Sequence, residues 1–114
     1  MERVKLHRGD LVVCVSPGDF GKPRPAVIVQ SDLFNTDHPS VVICPVSSTL
    51  TGNYLFRVPL DASRQSGLKE DSEIMVDKIT ALRPERIRQR IGRLTSRQLA
   101  TLNQALRLWL DLEQ

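Results

Sequence analysis

Short β-branched runs, each cut off by turn-forming residues, limit what this chain can fold into more than any other feature. Leu11-Val12-Val13-Cys14-Val15, Val27-Ile28-Val29 and Val41-Val42-Ile43-Cys44-Pro45-Val46 all stop within a few residues at proline, glycine or hydroxyl-bearing positions. Two substituents on Cβ restrict such side chains and suit them to a pleated surface, so the runs predict strands. Tyr54 to Leu60 alternates Tyr54, Phe56 and Val58 against Leu55 and Arg57, the pattern of a half-buried strand. Ser72 to Ile79 predicts another, with Ile74, Val76 and Lys78 on one side and Met75, Asp77 and Ile79 on the other. Asp77 then shares a side with apolar residues and is either partnered or at the strand end, because a lone buried carboxylate is costly. Arg88 to Leu94 predicts a last short strand.

One helix stands out, at the C-terminal end. Thr95 is a good N-cap, Gln98 three residues on closes a capping box, and Leu94 and Leu99 occupy the positions of a hydrophobic staple. Leu99, Leu102, Leu106, Trp109 and Leu110 then form an apolar stripe that needs a sheet or a second subunit to cover it. Between these elements, residues 32–39 read as a loop with room for one helical turn, Asp61 to Gly67 as a helical turn, and Pro84 to Ile87 as a tight turn. The sum is mostly β with a C-terminal α-helix: a small, strongly curved, mostly antiparallel sheet in one domain, 1–114.

Composition narrows the class. Hydrophobic content of 40% with 25% charged residues is that of a folded soluble protein. No run reaches the ~18 apolar residues of a membrane span, and no apolar h-region follows the first residues, so a cytoplasmic protein without a signal peptide is expected. Cys14 and Cys44 both sit in apolar runs, which predicts buried free thiols, although they could be neighbours across a sheet. His7 and His38 have no ligand-like spacing with either cysteine, so no metal is expected. The formal net charge is only +3, but six arginines lie between Arg83 and Arg97 against the single acid Glu85, while Glu70 to Asp77 holds four acids and no base. A basic block of this kind concentrates a polyanion such as RNA or DNA near the surface, or pairs with the acidic block.

Chemistry is suggested by Gly21-Lys22-Pro23-Arg24-Pro25-Ala26-Val27, where a basic loop runs into a strand. Each proline biases the residue before it toward extended geometry, so Lys22 and Arg24 are held in a narrow range of backbone angles. An arginine fixed at the mouth of a buried strand can meet a phosphate with its planar fork of donors; the plain alternative is a solvated loop charge. Ser47-Ser48-Thr49 supplies hydroxyls at the exit of the Val41 to Val46 run. No Walker loop or dinucleotide fingerprint is present.

Arg8-Gly9-Asp10-Leu11-Val12, Lys22 to Gln30, Cys44-Pro45-Val46-Ser47-Ser48, Gly67-Leu68, Met75 to Ile79 and Ile91-Gly92-Arg93-Leu94 appear in an order that resembles the MazF/PemK toxins of bacterial type II toxin-antitoxin systems. The resemblance spans essentially the whole chain. It implies an SH3-like small barrel, a homodimer, and a cofactor-free, metal-independent, sequence-specific endoribonuclease that cuts single-stranded mRNA and stops translation. It also implies a cognate antitoxin whose C-terminal segment lies in the RNA groove, with DNA contacted only through that antitoxin. The family's catalytic arginine falls on Arg24 and its partner hydroxyl on Ser47, where threonine is usual, with Ser48 beside it. Lys22, Asp19, Ser48, Asp77, Arg88 and Arg90 are expected in RNA-binding or supporting roles. Asp19 is the only acid in a Ser16 to Lys22 loop that is shorter than the common form and lacks its usual Glu-Gln element, so the cut sequence does not carry over. The related CcdB gyrase poisons imply an alternative, a toxin that acts by protein binding without nuclease activity. The Lys-Pro-Arg-Pro loop favours the nuclease, because the gyrase poisons act through the C-terminal helix.

Overall fold

The protein is described by a computed structural model, over residues 5–18 and 20–113. Among the described residues, seven strands precede one helix: β1 (Asp10–Cys14), β2 (Arg24–Ile28), β3 (Val41–Ser47), β4 (Arg57–Leu60), β5 (Ser72–Met75), β6 (Thr80–Leu82), β7 (Ile87–Arg93) and α1 (Ser96–Leu110). Hydrogen bonding runs in the order β4-β5-β3-β2-β1-β7, with β6 paired to β3 off that path, and every pair is antiparallel. On one edge of β3, Val41 to Ile43 face β6 while Val46 and Ser47 face β5. Pro45, which has no N–H to donate, stands at the changeover, and the sheet curves there.

Alternation divides the apolar residues between two faces. Leu11, Val27, Cys44 and Val46 gather with Leu102, Ala105 and Leu106 of α1, whereas Val12, Cys14, Ala26, Ile28, Val41 and Ile43 gather with Leu6, Leu82 and Ile87. The two cysteines are buried thiols in different clusters, so they are not neighbours across the sheet. Burial pushes the Cys44 thiol up to about 12. The helix begins as its sequence dictates: Gln98 N–H donates to Thr95 Oγ1 at 3.1 Å and Thr95 N–H to Gln98 Oε1 at 2.8 Å, closing the capping box. Leu94 is buried and Leu99 packs into the same cluster. Further along, Leu102 and Leu106 are buried, but Trp109 and Leu110 remain 45% exposed, with the indole tilted against Phe56 at 5.6 Å.

The structure corrects the sequence reading at two strands and, in β7, departs from strict alternation. The strand expected from Tyr54 shrinks to Arg57–Leu60: Phe56 and Arg57 N–H both donate to Asn53 O, so 53–56 is a turn and Tyr54 and Leu55 are exposed. The strand expected from Ser72 to Ile79 stops at Met75, since Val76 N–H donates to Phe56 O and Ile79 N–H to Val76 O, forming a 3-10 turn over Val76–Lys78 before β6. Asp77 therefore belongs to a turn and not to a strand face. In β7, strict alternation would separate Arg90 from Arg93. Register shifts opposite Leu11/Val12 and Val13/Cys14 break it, and both guanidinium groups reach the buried Asp10, at 3.1 Å and 3.8 Å. Among the described residues, no helix is long and apolar enough to cross a membrane.

Candidate active site

A cleft of about 850 Å³ opens where the N-terminal end of β2 and the C-terminal end of β3 come together. Arg24 and Pro25 line it from β2, Pro45 to Thr49 from β3 and its exit, Gly67 to Glu70 from the connection before β5, and Gln89 and Ile91 from β7. The β2–β3 ladder pairs Ala26 with Pro45 and Val27 with Cys44, and the same register carried outward sets Arg24 opposite Ser47. The sequence thus brings an arginine and a hydroxyl, 23 residues apart in the chain, to facing strand ends. Ser47 Oγ accepts a hydrogen bond from Thr49 N–H at 3.1 Å, so its own hydrogen is left for a ligand oxygen.

The wall opposite is fixed by close backbone contact. Gly67 has φ +74°, and a Cβ there would overlap the Ile91 carbonyl; a Cβ at Gly92 would overlap the carbonyl oxygens of Gln65 and Ser66. Arg93 N–H donates to Gln65 O at 2.9 Å. Ser66 Oγ organises the turn ahead of it, donating to Asp61 O at 3.0 Å and accepting from Ser63 and Leu68 N–H. Only glycine at these two positions lets the 61–68 turn lie on β7 and present Leu68, Lys69 and Glu70 to the cleft.

Behind the hydroxyl-bearing wall lies a buried ionic cluster. Glu73, 1% exposed, accepts from Thr51 N–H and Thr51 Oγ1, both at 3.0 Å, and from Gly52 N–H at 2.9 Å. Burial alone would raise its pKa, but these bonds and the Arg57 charge outweigh it and hold the carboxyl below its ordinary value. Arg57 stands 3.8 Å from Glu73 and grips Asp77 with two hydrogen bonds, 2.8 and 3.2 Å, that keep Asp77 below the usual carboxylate range. Among the described residues, no group of three or more His, Cys, Asp or Glu is arranged to hold a metal ion.

Residues 7–110 match the family described as PemK-like, MazF-like toxin of type II toxin-antitoxin system. The chain belongs to this toxin family. Among its relatives, "Probable endoribonuclease MazF" of Mycolicibacterium smegmatis is 31% identical over 108 residues, 94% of this chain and 98% of the relative. "Endoribonuclease MazF9" of Mycobacterium tuberculosis is 35% identical over 94 residues, 78% and 79% of the two chains. A solved structure from a mycobacterial species, described as an endoribonuclease in complex with its cognate antitoxin, superposes with TM-score 0.81 at 22% identity, over 96% of this chain and 98% of the other. That likeness establishes the fold.

Of the residues expected to carry the toxin family's site, Arg24, Ser47 and Ser48 line one cleft. Lys22 is exposed on the approach to β2 and does not line it. Asp77 sits outside the cleft, held by Arg57. Arg88 is exposed on β7 and Arg90 is spent on Asp10, so neither lines the cleft, whereas Gln89 between them does. Asp19 lies outside the described residues. Sequence reasoning missed Glu73, Lys69, Glu70 and Gln89. Glu73 carried a signal of its own, an acid directly before Ile74 in an apolar run.

Proposed function

We propose that this single-domain chain is the toxin of a type II toxin-antitoxin pair and a sequence-specific endoribonuclease acting on single-stranded RNA, with Arg24 and Ser47 as its catalytic residues. The observation that carries the reading is the convergence of those two side chains on one open cleft, in a chain whose relatives are described as endoribonucleases. RNA supplies its own nucleophile, the 2′-hydroxyl, which attacks the adjacent phosphorus in line and expels the 5′-oxygen. The enzyme has to orient that hydroxyl, balance charge on the phosphoryl oxygens and assist the leaving group. The Arg24 guanidinium stays protonated and can grip two oxygens at once, which suits the charge role and not that of a general base. Ser47 donates its hydroxyl hydrogen to a non-bridging oxygen. Neither histidine lines the cleft, and Glu70 is the one carboxylate among its described lining residues.

Two assembly features belong to the same proposal. A cognate antitoxin binds this chain, a partner supported by the structural neighbour described as in complex with its cognate antitoxin, and its C-terminal segment occupies the cleft in competition with RNA. Two copies associate through the apolar end of α1, where Leu108, Trp109, Leu110 and Leu112 are exposed; a stable symmetric interface of this kind buries more than ~2,000 Å² in total. The function is tested by incubating a long single-stranded RNA with the protein while divalent metal is chelated. Cleavage at defined sites is expected, with turnover lowered roughly 10²- to 10³-fold by Arg24→Ala and RNA binding affected less. A gyrase-directed toxin, or a module that only binds nucleic acid, would leave the RNA intact.

A further inference from the structure

The geometry points to Glu73 as a positioning residue for the cleft: its carboxylate holds the 47–53 segment so that Ser47 is presented to the substrate. This role rests on the endoribonuclease reading above. Residues 48–53 are all exposed and have no apolar anchor of their own. Their hydrogen bonds within the segment are local, from Thr49 N–H to Ser47 Oγ and from Asn53 N–H to Thr51 Oγ1, and its far end is closed by Phe56 and Arg57 N–H donating to Asn53 O. Among the described residues, every hydrogen bond that ties 48–53 to the rest of the fold beyond this turn ends on Glu73, through Thr51 N–H, Thr51 Oγ1 and Gly52 N–H. Glu73 is itself the ladder partner of Ser47 across β3 and β5. One residue thus fixes Ser47 from the side by the sheet and from beyond by the loop.

The chemistry of this site is matched to that task. A carboxylate can accept several N–H and O–H bonds at once, and each such bond to an ionised acceptor is stronger than one between neutral groups. Arg57, whose planar fork is already fixed on Asp77, keeps a positive charge against Glu73 without taking up the oxygens that face the loop. An amide at the same place keeps one carbonyl oxygen and turns its NH2 group toward the donors of either Thr51 or Gly52. The loop would then lose at least one bond while the fold kept its volume and its Arg57–Asp77 pair.

Glu73→Gln is the direct test, read in two ways in the full chain. Amide exchange at Thr51 or at Gly52 should accelerate by about 10- to 100-fold, the loss of a bond to a charged acceptor, and kcat for RNA cleavage should fall roughly 10- to 100-fold, with KM changed less. Thr51 is exposed, so Thr51→Val and Thr51→Ser supply a pair that does not touch the core. The valine should lower kcat severalfold and the serine, which keeps the hydroxyl, should restore it. A loss of global stability alone would not produce that rescue. Unchanged exchange at both amides, or a Glu73→Gln protein that cuts RNA like the wild type, would overturn the role alone. A wild-type protein that leaves RNA intact would overturn the endoribonuclease reading and this role with it.

Discussion

Replacing Gly67 by alanine should destabilise this protein far more than the addition of one methyl group suggests. At φ +74° a side chain costs about 1–2 kcal/mol through the clash of Cβ with its own backbone. Here that Cβ also overlaps the Ile91 carbonyl and lies 3.1 Å from Ile91 Cβ. The obstacle is backbone in a paired strand, which cannot step aside as a flexible side chain would, so overpacking adds about 1–3 kcal/mol. A total of about 2–5 kcal/mol corresponds to a fall in melting temperature of roughly 10–20 °C for a chain of this size. Gly18 gives the control, since it has φ +83° with nothing within 4 Å of where a methyl would stand, and Gly18→Ala should show the backbone cost alone. Thermal unfolding of the two variants followed by circular dichroism separates the terms. A Gly67→Ala protein that melts within about 3 °C of Gly18→Ala would refute the close contact between the 61–68 turn and β7, and with it the origin of the cleft's Leu68 to Glu70 wall.

Arg90→Gln should lower stability by roughly 1 kcal/mol, as the buried Asp10 keeps, among the described residues, the more distant Arg93 and the His7 N–H; the exposed Arg88→Gln should leave the melting temperature unchanged. Glu73, Asp77 and Asp32 all titrate below their ordinary values. Their contribution is complete above the usual carboxylate range and lost only as pH falls through the depressed values, so melting temperature should hold down to about pH 5 and drop below about pH 4; Asp77→Asn should reduce that acid-side drop. The Cys44 thiol, buried and pushed up to about 12, should resist alkylation near neutral pH in the folded protein and react once it is unfolded. Rapid modification of Cys44 under native conditions would contradict its burial.

Much of the fold could be read from local chemistry. The Thr95 and Gln98 capping box, the Leu11 to Val15 run and the Val41 to Val46 run were legible because their signals lie within a few residues of one another. Arg24 and Ser47 were also legible, through the proline-led entrance to β2 and the hydroxyls after Pro45. Most of what escaped depends on partners distant in the chain; the turn at Tyr54 is the local exception. Alternation in Tyr54 to Leu60 is real, but Asn53 O captures two N–H groups and turns the first half. The arginines of β7 could be counted but not aimed, because bulges opposite β1 decide that Arg90 and Arg93 meet Asp10 while Gln89 faces the cleft. Asp77 could be recognised as an acid in need of a partner. That the partner is Arg57 follows from the pairing of β4 with β5, and that the acid beside Ser47 is Glu73 follows from the pairing of β3 with β5; no local pattern encodes either.

The most direct measurement is the chemistry of the RNA ends. With metal chelated, the wild-type protein should leave a 2′,3′-cyclic phosphate, or its hydrolysis product, on one fragment and a 5′-hydroxyl on the other, because the 2′-hydroxyl is the nucleophile. The Arg24→Ala, Ser47→Ala double variant should leave the RNA uncut over the same time. Recovery of 5′-phosphate ends would contradict the transesterification mechanism, and full activity in the double variant would place the active site outside the cleft that Arg24 and Ser47 share.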